Sequence, residues 1–292
     1  MGFSLKELTF KQRYLLYLTE QIYAGPWFSF KMHSKTVGTV PVILKNIEPT
    51  PIYKLVNSRK GRSIDRITLD FDIQEYLKQL MRDGKIKQVK FKKENPYIRL
   101  YIDIFSKPKV PYINTFFTFK NISDYTLLDF TIYFVFDFDI NGLSGFDNDL
   151  SGYDEENDII YQYDETNLHG GFSPISKSTH FESSLTKNFN ISHDRLHLSN
   201  TLYDQPGEIL SALQIDFKNL EPKQTFQTAL TISGGFDKEE LIDNIKKGKN
   251  SAIKYLDPVN RNVKSKHRNE QEKAFVKINE QKAEDCSKYS KK

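Results

Sequence analysis

From Leu128 to Ile140 every second residue is apolar: Leu128, Phe130, Ile132, Phe134, Phe136, Phe138 and Ile140. Asp129, Thr131, Tyr133, Asp137 and Asp139 stand between them. An extended chain sends successive side chains to opposite faces, whereas a helix would scatter these seven around its circumference, so such alternation predicts a long β-strand. A strand of that kind needs paired neighbours and a second layer over its aromatic face. The same period of two recurs in Tyr97 to Phe105, where Ile98, Leu100, Ile102 and Ile104 alternate with Arg99 and Asp103, and again in Ile113, Thr115, Phe117 and Phe119. Ile159, Tyr161 and Tyr163 form a shorter strand, and Ile209 to Phe217 and Phe226 to Ile232 two more. Between residues 37 and 56 the apolar residues are broken by Gly38, Pro41, Pro49 and Pro51, which suits short edge strands and turns. Alternating strands joined by Gly, Pro, Asn and Asp turns predict a mainly β fold, an antiparallel β-sandwich with about three peripheral helices.

Those helices are placed by a different period. Leu5, Leu8, Leu15, Leu16, Leu18 and Ile22 recur near 3.6 residues until Gly25-Pro26, which predicts a helix over about 5–24. Ile73, Tyr76, Leu77, Leu80 and Met81 fall at i, i+3, i+4, i+7 and i+8, predicting a helix over 72–82 that closes at Asp83-Gly84. Asp237 with Glu240 three residues later reads as a capping box opening a helix over 238–247. Residues 1–256 are expected to form one sandwich body, and residues 257–292 a charged, flexible tail.

Charge is distributed unevenly over the 292 residues. The segment from 257 to 292 holds ten Lys/Arg against six Asp/Glu, which is the whole net charge of +4, so the preceding body is neutral. Within that body, residues 121 to 176 contain no Lys or Arg and twelve carboxylates. Such a block must stay solvated or meet cations. The lone Cys286 excludes an internal disulfide framework and any zinc site built on paired cysteines. No basic segment leading into a long apolar run is visible near the start, so neither a signal peptide nor a membrane span is expected, and the default compartment is the cytoplasm.

Two constellations carry possible chemistry. Asp137, Asp139, Asn141 and Gly142 read D-x-D-x-N-G, the opening of a calcium loop, because a hard cation wants several oxygens around a sharp Gly turn. The twelfth position is Asn148 rather than Glu, which argues against an EF-hand. A looser Ca2+ site would add Asp147 or Asp149. The alternative is that these carboxylates simply keep a loop solvated. The second constellation is Tyr153, Asp154, Glu155, Tyr161, Tyr163, Asp164 and His169, where carboxylates interleave with tyrosines. Aromatic faces pack on sugar rings and carboxylates accept hydroxyl protons, so these residues are candidate ligand contacts. Against that stands the plainer possibility that the tyrosines only line a sheet.

Other features point less far. His193 and His197 have i, i+4 spacing, but the leucines around them suggest an extended or irregular segment rather than a metal-binding helix. The helix over 72–82 with Lys85, Lys87, Lys90, Lys92 and Lys93 invites comparison with a recognition helix and wing, but Gly38 to Pro51 interrupts where a third helix is needed, so nucleic acid is an unlikely partner. No G-x-S-x-G, Walker A or Rossmann glycine fingerprint occurs.

The strand ending in Phe-Asp-Phe-Asp-Ile140, the acidic glycine loop to Gly152-Tyr153-Asp154-Glu155-Glu156, and Asp158-Ile-Ile-Tyr-Gln-Tyr163 follow one another in an order that resembles the N-terminal β-sandwich of glucoamylase and glucodextranase-type glycoside hydrolases. Leu230 to Lys249, with Gly234-Gly235 and the following acidic helix, is similar to that domain's exit, so the resemblance covers about residues 97–250. In that family catalysis belongs to a separate helical barrel. The resemblance therefore implies no catalytic carboxylate here and speaks for a fold more than an activity. The expected function is non-catalytic binding of a carbohydrate or protein partner through the acidic, tyrosine-rich loop. The alternative is a small sugar-active enzyme, epimerase or hydrolase, pairing a carboxylate of that loop with His169 or His180 by analogy with mutarotase-like sandwiches. Beyond Ca2+ no cofactor is expected.

Overall fold

A computed structural model describes residues 7–10, 13–17, 24–34, 38–43, 50–59, 62–84, 97–106, 109–142 and 145–256. Along the chain run β1 (Glu7–Phe10), β2 (Arg13–Tyr17), β3 (Ala24–Ser34), β4 (Gly38–Ile43), β5 (Thr50–Arg59) and β6 (Arg62–Phe71), then α1 (Gln74–Arg82). Next come β7 (Ile98–Ser106), β8 (Tyr112–Asn121), β9 (Leu127–Asp137), β10 (Leu150–Asp154), β11 (Ile159–Tyr163), β12 (His169–Pro174) and β13 (His180–Leu185). β14 (Ile209–Asp216), β15 (Asn219–Leu220), β16 (Thr225–Gly235) and α2 (Lys238–Leu256) complete the order.

The strands form two main antiparallel sheets. One is eight-stranded, in the order β10-β11-β12-β16-β8-β7-β6-β5. The other is six-stranded, in the order β13-β14-β9-β3-β4, with β15 also pairing β9. Phe130, Ile132, Phe134 and Phe136 from β9 meet Phe117, Phe119, Leu230 and Ile232 from the eight-stranded sheet in the shared core. The long alternating segment thus forms a central strand of a sandwich, as its period requires. Its reverse face is not wet, however. Tyr133 and Val135 lie buried beneath Ile191, Leu196 and Leu198, which a long excursion between β13 and β14 lays across the outer face.

Two helices rather than three occur among the described residues. α1 and α2 fall where the helical period placed them, and α2 runs on to Leu256. The helix expected over 5–24 is instead the β1–β2 hairpin followed by the start of β3. The leucines there satisfy a helical period, but Thr9, Phe10, Tyr14 and Tyr17 carry branched or aromatic side chains that favour extended backbone. Pro26, expected to end a helix, lies within β3 opposite Phe134, on a stretch β4 does not reach. Its missing N–H is tolerated where the strand has one neighbour.

The chain divides into two compact units, Met1–Lys249 and Asn250–Lys292. Of the second, only the end of α2 is described. The charged segment 257–292 with Cys286, and Lys85, Lys87, Lys90, Lys92 and Lys93, lie outside the described residues. No helix among the described residues is long and apolar enough to cross a membrane.

Candidate functional site

β9 leaves the six-stranded sheet at Asp137, yet Phe138 and Ile140 remain fully buried in the core. The Phe138 amide donates to Gln162 Oε1 at 3.0 Å, so the departing backbone is tied to the opposite sheet. The reversal that follows uses left-handed backbone at Asn141 (φ 63°) and Gly142 (φ 66°), two residue types that tolerate it. Gly145 is required by close packing, since a Cβ there would lie 2.4 Å from the Ile140 carbonyl oxygen. A short 3-10 turn, Phe146–Asn148, then delivers Asp149 back to the turn, where its Oδ2 accepts from the Ile140 amide at 3.4 Å.

This path brings Asp137, Asp139, Asn141, Asp149 and Asp164 to one end of the sandwich. Asn141 Nδ2 bonds Asp164 Oδ2, and Asp164 Oδ1 accepts from the Thr166 amide (3.0 Å) and hydroxyl (2.6 Å). Burial pushes the Asp149 carboxyl up to about 10, helped by the negative charges of Asp139, Asp164 and Asp137 and opposed by the Ile140 amide. Burial likewise raises Asp137 to about 8, with Asp139 and Glu208 adding repulsion. Burial thus shifts both toward the protonated form. Asp149 Oδ1 is buried without a hydrogen-bond partner.

The expected calcium ligands are only partly gathered. Asp147 is exposed on the 3-10 turn, and the Asn141 amide is engaged by Asp164 and Thr166. Among the described residues, no three of these carboxylates present oxygens within 4.8 Å of one another, the span of a Ca2+ shell built on oxygen ligands at about 2.4 Å.

The tyrosine-rich segment is dispersed by its own β-period. Tyr163 and His169 face each other across β11 and β12 beside Asp164, their rings stacked at 5.0 Å and 8°. His169 Nδ1 donates to the Asn167 carbonyl at 2.8 Å. Tyr161 is buried against Leu241 and Ile245 of α2, and Gly152 makes room for its ring. Tyr153 turns inward, stacks on Phe181 at 4.1 Å and donates to Asp158 at 2.8 Å. Asp154 accepts from the Asn157 backbone and side chain in the β10–β11 turn, where Glu155 is exposed, at the opposite end of β11 from Asp164. Tyr163, Asp164 and His169 thus join the acidic end, while Tyr153, Tyr161, Asp154 and Glu155 do not.

The histidine spacing read from the sequence also separates in space. His193 Nε2 meets the Tyr76 hydroxyl at 2.6 Å, whereas the His197 ring lies 5.1 Å from that of His180. The carboxylate that approaches His180 is Asp216, at 3.7 Å, and not one from the acidic loop. Register places it: His180 pairs with Gln214, so Asp216 two residues on lies on the same face. No sequence motif announces a residue from another strand.

No protein-family model matches the chain, and no curated protein matches it by sequence. Among solved structures the fold is similar to a bacterial glucoamylase complexed with acarbose (TM-score 0.49, 11% identity), covering 80% of this chain and 30% of that one. It is also similar to an α-galactosidase of glycoside hydrolase family 36 from Geobacillus stearothermophilus in complex with raffinose (TM-score 0.35, 10% identity, 80% of this chain and 33% of that). A third is a protein assigned as an aldose 1-epimerase from Klebsiella pneumoniae (TM-score 0.31, 10% identity, 66% and 56%). The chain spans about a third of the length of the first two.

Proposed function

We propose that this chain is a non-catalytic binding sandwich that takes an uncharged carbohydrate at its acidic end, around Asp137, Asp139, Asn141, Tyr163, Asp164 and His169. The observation that carries this reading is the convergence of these residues from three separate segments at one end of the sandwich, where Asn141 bonds Asp164 and Tyr163 stacks on His169. An amide such as Asn141 donates and accepts at once, which matches a sugar hydroxyl, and the half-buried Tyr163 ring offers an apolar face. With no Lys or Arg between residues 121 and 176, an anionic ligand finds no counter-charge on these segments.

The test is a glycan array probed with the full chain, alongside an assay of anomer interconversion. Binding of neutral glycans that Tyr163→Ala and Asp164→Asn each weaken by about tenfold or more, roughly 1.4 kcal/mol, supports the reading. Interconversion of anomers would make the protein an enzyme instead, and glycan binding unmoved by both substitutions would place the contact elsewhere. A melting temperature that rises in millimolar Ca2+, and stops rising when Asp137→Ala and Asp139→Ala are combined, would turn the same carboxylates into a cation shell.

A further inference from the structure

At the edge of the six-stranded sheet, on its outer face, His180, His197 and Asp216 each present one ligand atom within 4.8 Å of the others. We propose that they form a binding site for a divalent transition-metal cation of the Zn2+ class, separate from the acidic end.

The chemistry of the donors selects the cation. Two imidazoles and one carboxylate suit Zn2+ and its first-row neighbours, whereas Ca2+ and Mg2+ want shells of oxygen. A tetrahedral shell with bonds near 2.0–2.1 Å sets its ligand atoms about 3.4 Å apart. Three protein ligands leave a fourth position for water, and the partial exposure of His180 (27%) and Asp216 (33%) gives a cation a way in.

The surroundings hold the three groups as a second shell holds metal ligands. Asp216 Oδ1 accepts from Gln214 Nε2 (2.7 Å) and Thr131 Oγ1 (2.9 Å), and its Oδ2 from Thr179 Oγ1 (2.9 Å). The Leu198 amide donates to Gln214 Oε1 at 2.9 Å, which fixes the orientation of the fully buried amide. Its NH2 therefore donates to His197 Nδ1 at 2.9 Å, and a cation ligated there takes that lone pair in place of Gln214.

His197 is also anchored through its backbone. Tyr133 donates to the Leu196 carbonyl at 2.6 Å, and Leu198 packs with Tyr133 and Ala212. Glu182, nearly fully buried, accepts from Arg195 Nη2 (2.5 Å) and from the Ser199 amide (2.9 Å), pinning the excursion on both sides of His197. The site is thus pre-organised on a strand, a strand end and a tethered loop.

The experiment is calorimetric titration of Zn2+ alone into the full chain and into Cys286→Ser, which removes the one thiol. The expected result is one equivalent bound with a Kd of about 10 μM or tighter in both, and no response to Ca2+ at the same concentration. His180→Ala, His197→Ala and Asp216→Asn should each weaken binding by about tenfold or more, with near-ultraviolet circular dichroism unchanged. His197 is exposed, so its alanine variant keeps the fold and decides the matter. Wild-type affinity in His197→Ala, loss of binding in Cys286→Ser, or no Zn2+ binding by the folded full chain at 100-fold that Kd overturns the site.

Discussion

Asp149 shows what a single buried carboxyl does to a whole sandwich. It is fully buried, receives one long hydrogen bond from Ile140 and keeps Oδ1 without a partner. Folding raises its pKa to about 10 and that of Asp137 to about 8, so between about pH 4 and those values the native state holds protons that the unfolded chain has released. Stability from these groups is complete below the unfolded pKa and is lost as pH rises toward the folded one. The full chain should therefore be less stable in urea at pH 8 than at pH 5. Asp149→Asn, which keeps an acceptor for Ile140 and cannot ionise, should flatten that decline and match or exceed the wild type at pH 8. An unchanged slope in the variant would mean that Asp149 is ionised in the folded protein.

At the scale of elements, the junction between β16 and α2 is a tight turn. Asp237 Oδ1 accepts from the Glu240 amide at 2.7 Å, and Glu240 reaches back to the Phe236 amide at 2.8 Å, so two free helix-end donors are satisfied. A Cβ on Gly235 would stand 2.4 Å from the Leu241 amide nitrogen and 2.8 Å from the Asp237 carbonyl oxygen, atoms that cannot swing away. Gly235→Ala should thus cost about 2–3 kcal/mol by urea denaturation, because the helix that buries Leu241 and Ile245 against Tyr161 must shift. Asp237→Ala removes only a cap and should cost about 1 kcal/mol. Equal costs would show that the helix seats without its close approach to Gly235. The contrast with the N-terminal segment is instructive: Asp237 and Glu240 mark a helix start by chemistry, while the leucines of residues 5–18 offered only a period, and the aromatic and branched neighbours decided for strands.

For the molecule as a whole, hairpin-like neighbours supply most of the pairing, but the joins that build each sheet, β9 with β14 and β3, and β12 and β8 with β16, link strands far apart in the chain. Residues 257–292 offer a core only Phe275, Val276 and Ile278 in sequence, with Val259 and Val263, while carrying the entire net charge. Ending the chain after Leu256 should therefore leave the melting temperature within about 3 °C, since no sizeable apolar area is removed. A drop of ten degrees or more would show that the segment packs on the rest. Much of the fold was legible because periodicity is local: the two-residue alternation of Leu128 to Ile140 and of Tyr97 to Phe105 marks strands, and the spacing of Ile73, Leu77 and Leu80 marks a helix, whatever surrounds them. The D-x-D-x-N-G turn was legible for the same reason, as Asn141 and Gly142 supply the left-handed backbone that the reversal needs. Local pattern could not say which strand lies beside which. Only strand register set Asp216 on the face of His180, only the covering excursion brought His197 to them, and only α2 turned Tyr161 from a surface aromatic into core. A side chain's period is written in its neighbours along the chain, whereas its partners are chosen by the non-local contacts that close the sandwich.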